Sequence, residues 1–121
     1  MAPTEYAEKA VFTDKVLNPL RVHFSEHVEM LSVHDCIYRG TEFKHVVLRD
    51  GPNVVSVFIT GGDRSGEDGS TPDGTIMSEV EDGMQVATFY DNSQTILVVS
   101  DLSETQNLSF ARTLLNAWKQ A

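Results

Sequence analysis

Disulfides, bilayer-spanning runs and a basic surface are all missing from this chain. Cys36 is the one cysteine in 121 residues. No internal disulfide can form, and cysteine usage says nothing about the redox compartment. No apolar run approaches the ~20 residues that a spanning helix needs, and no secretory h-region follows Met1. Positive charge is scarce: Lys and Arg total 9 against 18 Asp and Glu, for a net charge of −9. That balance argues against a nucleic-acid partner, because phosphate binding needs a basic surface. It argues equally against a role on an anionic membrane surface.

Several catalytic and ligand signatures are absent too. No nucleophile-elbow glycines surround Cys36. Glu26 sits beside His27 and not beside His23, so the metalloprotease order H-E-x-x-H is not met. Gly61-Gly62-Asp63-Arg64 is followed by no Lys-Ser/Thr pair, which excludes a phosphate-binding loop. Asp63, Glu67, Asp68 and Asp73 do not have the spacing of an EF-hand. The chain is not expected to be an enzyme.

What remains is an ordinary globular composition, with 40% hydrophobic and 22% charged residues, in a length that can bury a core without staples. Residues 1–30 read as an N-terminal arm or short helix. Asn18-Pro19 is a start signal for a helix in which Leu20, Phe24, Val28 and Leu31 recur at helical spacing. Residues 31–121 read as a single α+β domain. Alternating, β-branched runs predict strands near 32–39, 43–49 and 54–60. A Gly-, Ser- and Asp-rich loop is predicted from Gly61 to Gly74 and expected to be mobile. Ile76–Glu81 reads as a short strand or a turn of helix. A hairpin is predicted from Met84–Tyr90 and Thr95–Ser100 around Asp91-Asn92-Ser93-Gln94. Ser103 with Gln106 forms a capping-box pattern. The helix it opens carries Leu108, Ala111, Leu115 and Trp118 on one face, with Leu114 beside them.

The expected fold is therefore an antiparallel sheet of about five strands with the C-terminal helix packed on one face. Val46, Leu48, Val55, Val57 and Ile59 share one side of it. His45, Val47, Ser56 and Phe58 share the other. Both sides carry apolar residues, so the second needs a cover, from the N-terminal segment or from a second copy in a homodimer.

Folding the first two strands about Gly40-Thr41 sets Arg39 opposite Glu42, Tyr38 opposite Phe43 and Cys36 opposite His45. His34 then joins the same face. A thiol and two imidazoles on one face are candidate ligands for a transition metal, copper or zinc, or for haem. His23 and His27, four apart, would share a helix face and could join His34, Cys36 and His45. Asp35 points to the opposite face and cannot orient a Cys-His dyad.

His34-Asp35-Cys36-Ile37-Tyr38, Phe43-Lys44-His45-Val46-Val47-Leu48 and Val55-Ser56-Val57-Phe58-Ile59 resemble the C-terminal domain of zinc-finger transmembrane anti-sigma factors. The likeness extends through Ala87-Thr88-Phe89-Tyr90 and Ile96–Leu102 to the helix Leu108–Trp118, leaving out the 61–75 loop. It implies an extracytoplasmic, periplasmic sensory or regulatory domain of an inner-membrane protein, with a protein partner in a sigma/anti-sigma system. The His-Cys-Cys zinc finger and the membrane helix of that group do not lie within these residues. Sigma binding itself is therefore not assigned to them, and membrane attachment would run through a tether outside this chain. The main alternative is a free-standing metal- or haem-binding protein that uses the Cys/His cluster.

Overall fold

The computed structural model describes residues 11–23, 26–38, 40–60, 74–91 and 94–119. Among the described residues, six strands form one antiparallel sheet: β1 (Glu29–Tyr38), β2 (Thr41–Asp50), β3 (Asn53–Ile59), β4 (Met77–Glu81), β5 (Met84–Asp91) and β6 (Gln94–Ser100). Their spatial order is β1-β2-β3-β6-β5-β4. Two three-stranded meanders thus meet along β3 and β6, where Val57 pairs with Val98 and Ile59 with Ile96. A helical turn of π type (Thr13–Leu17) runs into α1 (Asn18–His23), and α2 (Glu104–Lys119) closes the fold. The architecture is α+β with the C-terminal helix on one face of the sheet, as expected, but with six strands.

The sixth strand is β4, the strand alternative for Ile76–Glu81, and the turn after it decides for strand over helix. Asp82 and Gly83 both take positive φ, 52° and 80°. That is the geometry of a two-residue hairpin turn matched to strand twist. It pairs Glu81 with Met84 and makes β4 a partner of β5.

The core lies between one sheet face and the helical segments. Val33, Val46, Leu48, Val55, Val57, Ile59, Phe89, Ile96 and Val98 supply the sheet side, and Phe110, Ala111, Leu114, Leu115 and Trp118 supply α2. Phe12, Val16, Leu17 and Leu20 of the N-terminal helical segment and Val28 complete the same cluster. These N-terminal residues therefore pack on the face that α2 covers and not on the second one. The division at residues 30 and 31 falls inside β1.

The helix expected to run from Pro19 to Leu31 stops at His23, and β1 starts at Glu29. Arg21 Nε donates to the Val28 carbonyl at 2.8 Å. Leu20 and Val28 are both fully buried, but from different elements. Asn18 opens α1 but does not cap a free helix end, because the preceding π turn runs straight into it. Its backbone N–H bonds to the Thr13 carbonyl, one residue further back than in an α-helix. Pro19 explains the wider turn, since its ring would collide with the carbonyl four residues earlier. Phe24, residues 61–73 with their acidic loop, and the turn residues Asn92 and Ser93 lie outside the described residues.

The start of α2 is built as read. Ser103 Oγ accepts from the Gln106 backbone N–H at 3.2 Å, and Gln106 Oε1 accepts from the Ser103 N–H at 3.3 Å. One turn in, buried Asn107 donates to the Val98 carbonyl at 3.1 Å and accepts from Ser100 Oγ at 2.7 Å. These bonds pin α2 to β6. Among the described residues, no helix is long and apolar enough to cross a membrane.

Candidate functional site on the second sheet face

The second face carries the candidate ligands. β1 ends at Tyr38 and β2 starts at Thr41; Tyr38 pairs with Thr41 and Cys36 with Phe43, and Arg39, expected opposite Glu42, lies outside the described residues. His34, and not Cys36, is the direct partner of His45. The expected pairing is thus displaced by two residues. Gly40, at φ 78°, occupies the second turn position, where a positive φ is required, in place of the first. Because side chains alternate with period two, this displacement keeps every side chain on its expected face. Cys36 and His45 remain on one side of the sheet, as diagonal neighbours.

The two imidazoles touch. His34 Nε2 lies 3.0 Å from His45 Nδ1, and the rings meet edge to face at 70° with centroids 4.6 Å apart. The other nitrogen of His45, Nε2, lies 2.9 Å from Ser56 Oγ. Phe58, the β3 partner of His45, stacks on its ring at 4.3 Å and 13°. His34 is exposed, whereas His45 and Ser56 are half-buried. A hydrogen-bonded chain His34–His45–Ser56 therefore crosses three strands. Either tautomer arrangement places one proton between the two rings.

Burial, and next the neighbouring His34, push the His45 pKa below the usual value of 6.5.

Cys36 sits two residues along β1 from His34, half-buried against the small apolar cluster of Phe43, Val86 and Leu97. Burial, and then the Asp35 charge, raise its thiol above 9.0. It is a protonated packing residue at neutral pH and not an activated nucleophile. Asp35 points to the opposite face, as expected, and ion-pairs with Lys44.

His23 and His27 do not share a helix. His23 ends α1, and His27 lies in the bend before β1, exposed and 3.9 Å from Glu26. His27 precedes Glu29, which is itself five strand residues from His34, about 17 Å. The structure thus unites His34 and His45, places Cys36 beside them and leaves His27 apart. Among the described residues, no group of three or more His, Cys, Asp or Glu side chains converges as a metal cage.

Ser56 and Phe58 were assigned to the His45 face from the sequence but given no role. The signal was available. The Asp50-Gly51-Pro52-Asn53 turn fixes Phe58 opposite His45 and Ser56 opposite Val47, so a hydroxyl diagonal to an imidazole could be read directly.

No protein-family model matches the chain, and no curated protein does. Among solved structures, a GTP binding regulator from Thermotoga maritima is similar in fold. Its TM-score is 0.58 at 11% identity, over 85% of this chain and 86% of that one. A likeness at that identity is one of architecture alone.

Proposed function

We propose that this chain is a sensory or regulatory domain that works by protein contact and not by turnover. The reading is of the kind of domain that transmembrane anti-sigma factors hold outside the membrane, in the periplasm. One observation carries it. The three segments resembling that group fall on the adjacent strands β1, β2 and β3, and they place His34, His45, Ser56 and Phe58 together on the face opposite α2. A sensor needs two states with different affinity for a signal or partner. A hydrogen-bonded chain across three strands can couple an event at exposed His34 to half-buried Ser56.

The test is photo-crosslinking in the native host, with a benzophenone side chain introduced at Val54 or Glu79 on this face, or at Arg112 on the exposed side of α2. The expected result is a discrete adduct from the two sheet positions whose partner belongs to a sigma/anti-sigma system. Adducts from Arg112 alone, or a partner outside such a system, would overturn the reading.

A further inference from the structure

We propose that His34 and His45 form a two-imidazole chelate for a late divalent transition ion, Cu(II) or Ni(II), with Ser56 as its positioning residue. This inference does not rest on the regulatory reading above.

The geometry begins with the nitrogens. Their separation is 3.0 Å, and an ion bound to both at 2.0–2.1 Å subtends about 94° between them. That is the cis angle of a tetragonal ion, the preference of Cu(II) and Ni(II). A tetrahedral zinc ion would need the nitrogens about 3.3–3.4 Å apart, a wider displacement of the exposed His34 ring than a tetragonal ion needs. Imidazole nitrogen also favours these ions over calcium and magnesium, which want oxygen ligands. The one carboxylate adjacent in sequence, Asp35, is on the other face and engaged by Lys44.

The support around the pair is what a ligating imidazole requires. A metal-bound histidine presents one nitrogen to the ion and donates the other N–H to a fixed acceptor. Ser56 Oγ at 2.9 Å from His45 Nε2 can be that acceptor, which leaves the Nδ1 lone pair facing His34. Phe58 stacked on the ring holds its plane. His34 is exposed, so its ring can turn to bring Nε2 onto the ion. With both rings neutral, the proton held between them passes to His34 Nδ1 as Nε2 takes the ion, so each imidazole keeps one N–H; in acid, protons compete with the ion for the ligating nitrogens and binding weakens. The remaining coordination positions take water. Cys36 is left out of the ligand set because it packs against the apolar cluster around Phe43.

Copper(II) titration of the full chain, followed by calorimetry and electron paramagnetic resonance, tests the proposal. One equivalent should bind with nitrogen hyperfine structure from two imidazoles. His34→Ala and His45→Phe should each lose at least about tenfold in affinity, and Ser56→Ala about tenfold while keeping the two-nitrogen signature. Circular dichroism checks that each variant is folded, and His34→Ala alone suffices because its side chain is exposed. His27→Ala and Cys36→Ser should bind as the native chain does. The proposal is overturned if native protein binds no copper, if His34→Ala binds it equally well, or if the loss follows His27 or Cys36 instead.

Discussion

His45 is claimed by three neighbours at once: His34 on one nitrogen, Ser56 on the other and Phe58 over the ring face. Burial and His34 together depress its pKa, and the sign of the effect on stability follows. Just below the unfolded value of 6.5, the unfolded chain binds a proton that the folded chain does not. The folded state therefore loses stability as pH falls from 6.5 toward the depressed folded value, and keeps it above 6.5. His45→Asn should lack this increment. Urea melts of native and variant protein at neutral and mildly acidic pH, with chelator present, should show the native advantage shrinking in acid. A difference independent of pH would refute the assignment. At this scale, much of the site was legible. The faces of His34, Cys36, His45, Ser56 and Phe58 all follow from alternation. Which imidazole meets which group did not follow, because Gly40 can serve as the first or second residue of a two-residue turn. The two choices move the ladder by two positions without exposing a single core residue.

Among the elements, α2 has the most specific attachment. Asn107 bonds to both the Val98 carbonyl and Ser100 Oγ in a buried position, and Trp118 Nε1 donates to Gln94 Oε1 at 3.1 Å near the far end. Asn107→Ala removes two hydrogen bonds and leaves the buried Ser100 O–H without its acceptor, a cost of about 1–3 kcal/mol. The urea midpoint should fall at unchanged slope, and adding Ser100→Ala should recover part of the loss. No shift in midpoint would mean that the bonds contribute nothing net. The capping box made the start of this helix readable, and the Asp50-Gly51-Pro52-Asn53 turn did the same for the β2–β3 hairpin. β4 was obscured because Met-Ser-Glu-Val-Glu is mostly polar and lies on the sheet edge, with Val80 pointing to solvent. Its strand character comes from pairing with β5 and from the Asp82-Gly83 turn, not from its own apolar pattern. The N-terminal helical segment was harder still. Periodicity marks Leu20 as a core candidate but not which face of a sheet receives it, and Val16, equally buried, lies in a stretch that reads only as an arm or short helix.

At the scale of the whole molecule, the order β1-β2-β3-β6-β5-β4 has a kinetic consequence. Within each meander every strand pairs with its chain neighbour. The β3–β6 seam alone joins strands separated by the entire β4–β5 hairpin. Local hairpins close cheaply, whereas a distant seam must meet the entropy of a long loop before any contact offsets it. The barrier to folding should lie at the docking of two preformed halves. Val98→Ala, at the seam, should cost about 2 kcal/mol and appear chiefly as slower refolding in stopped-flow chevrons. Val33→Ala, on the outer strand β1, should instead speed unfolding. The opposite partition would show that the halves do not form first. A chain assembled in this way spends its vulnerable moment as two ribbons whose seam edges are still bare. Each of those edges, rich in valine and isoleucine, is a template that the matching half of a neighbouring molecule could fill, so the hazard during synthesis is exchange of halves between copies.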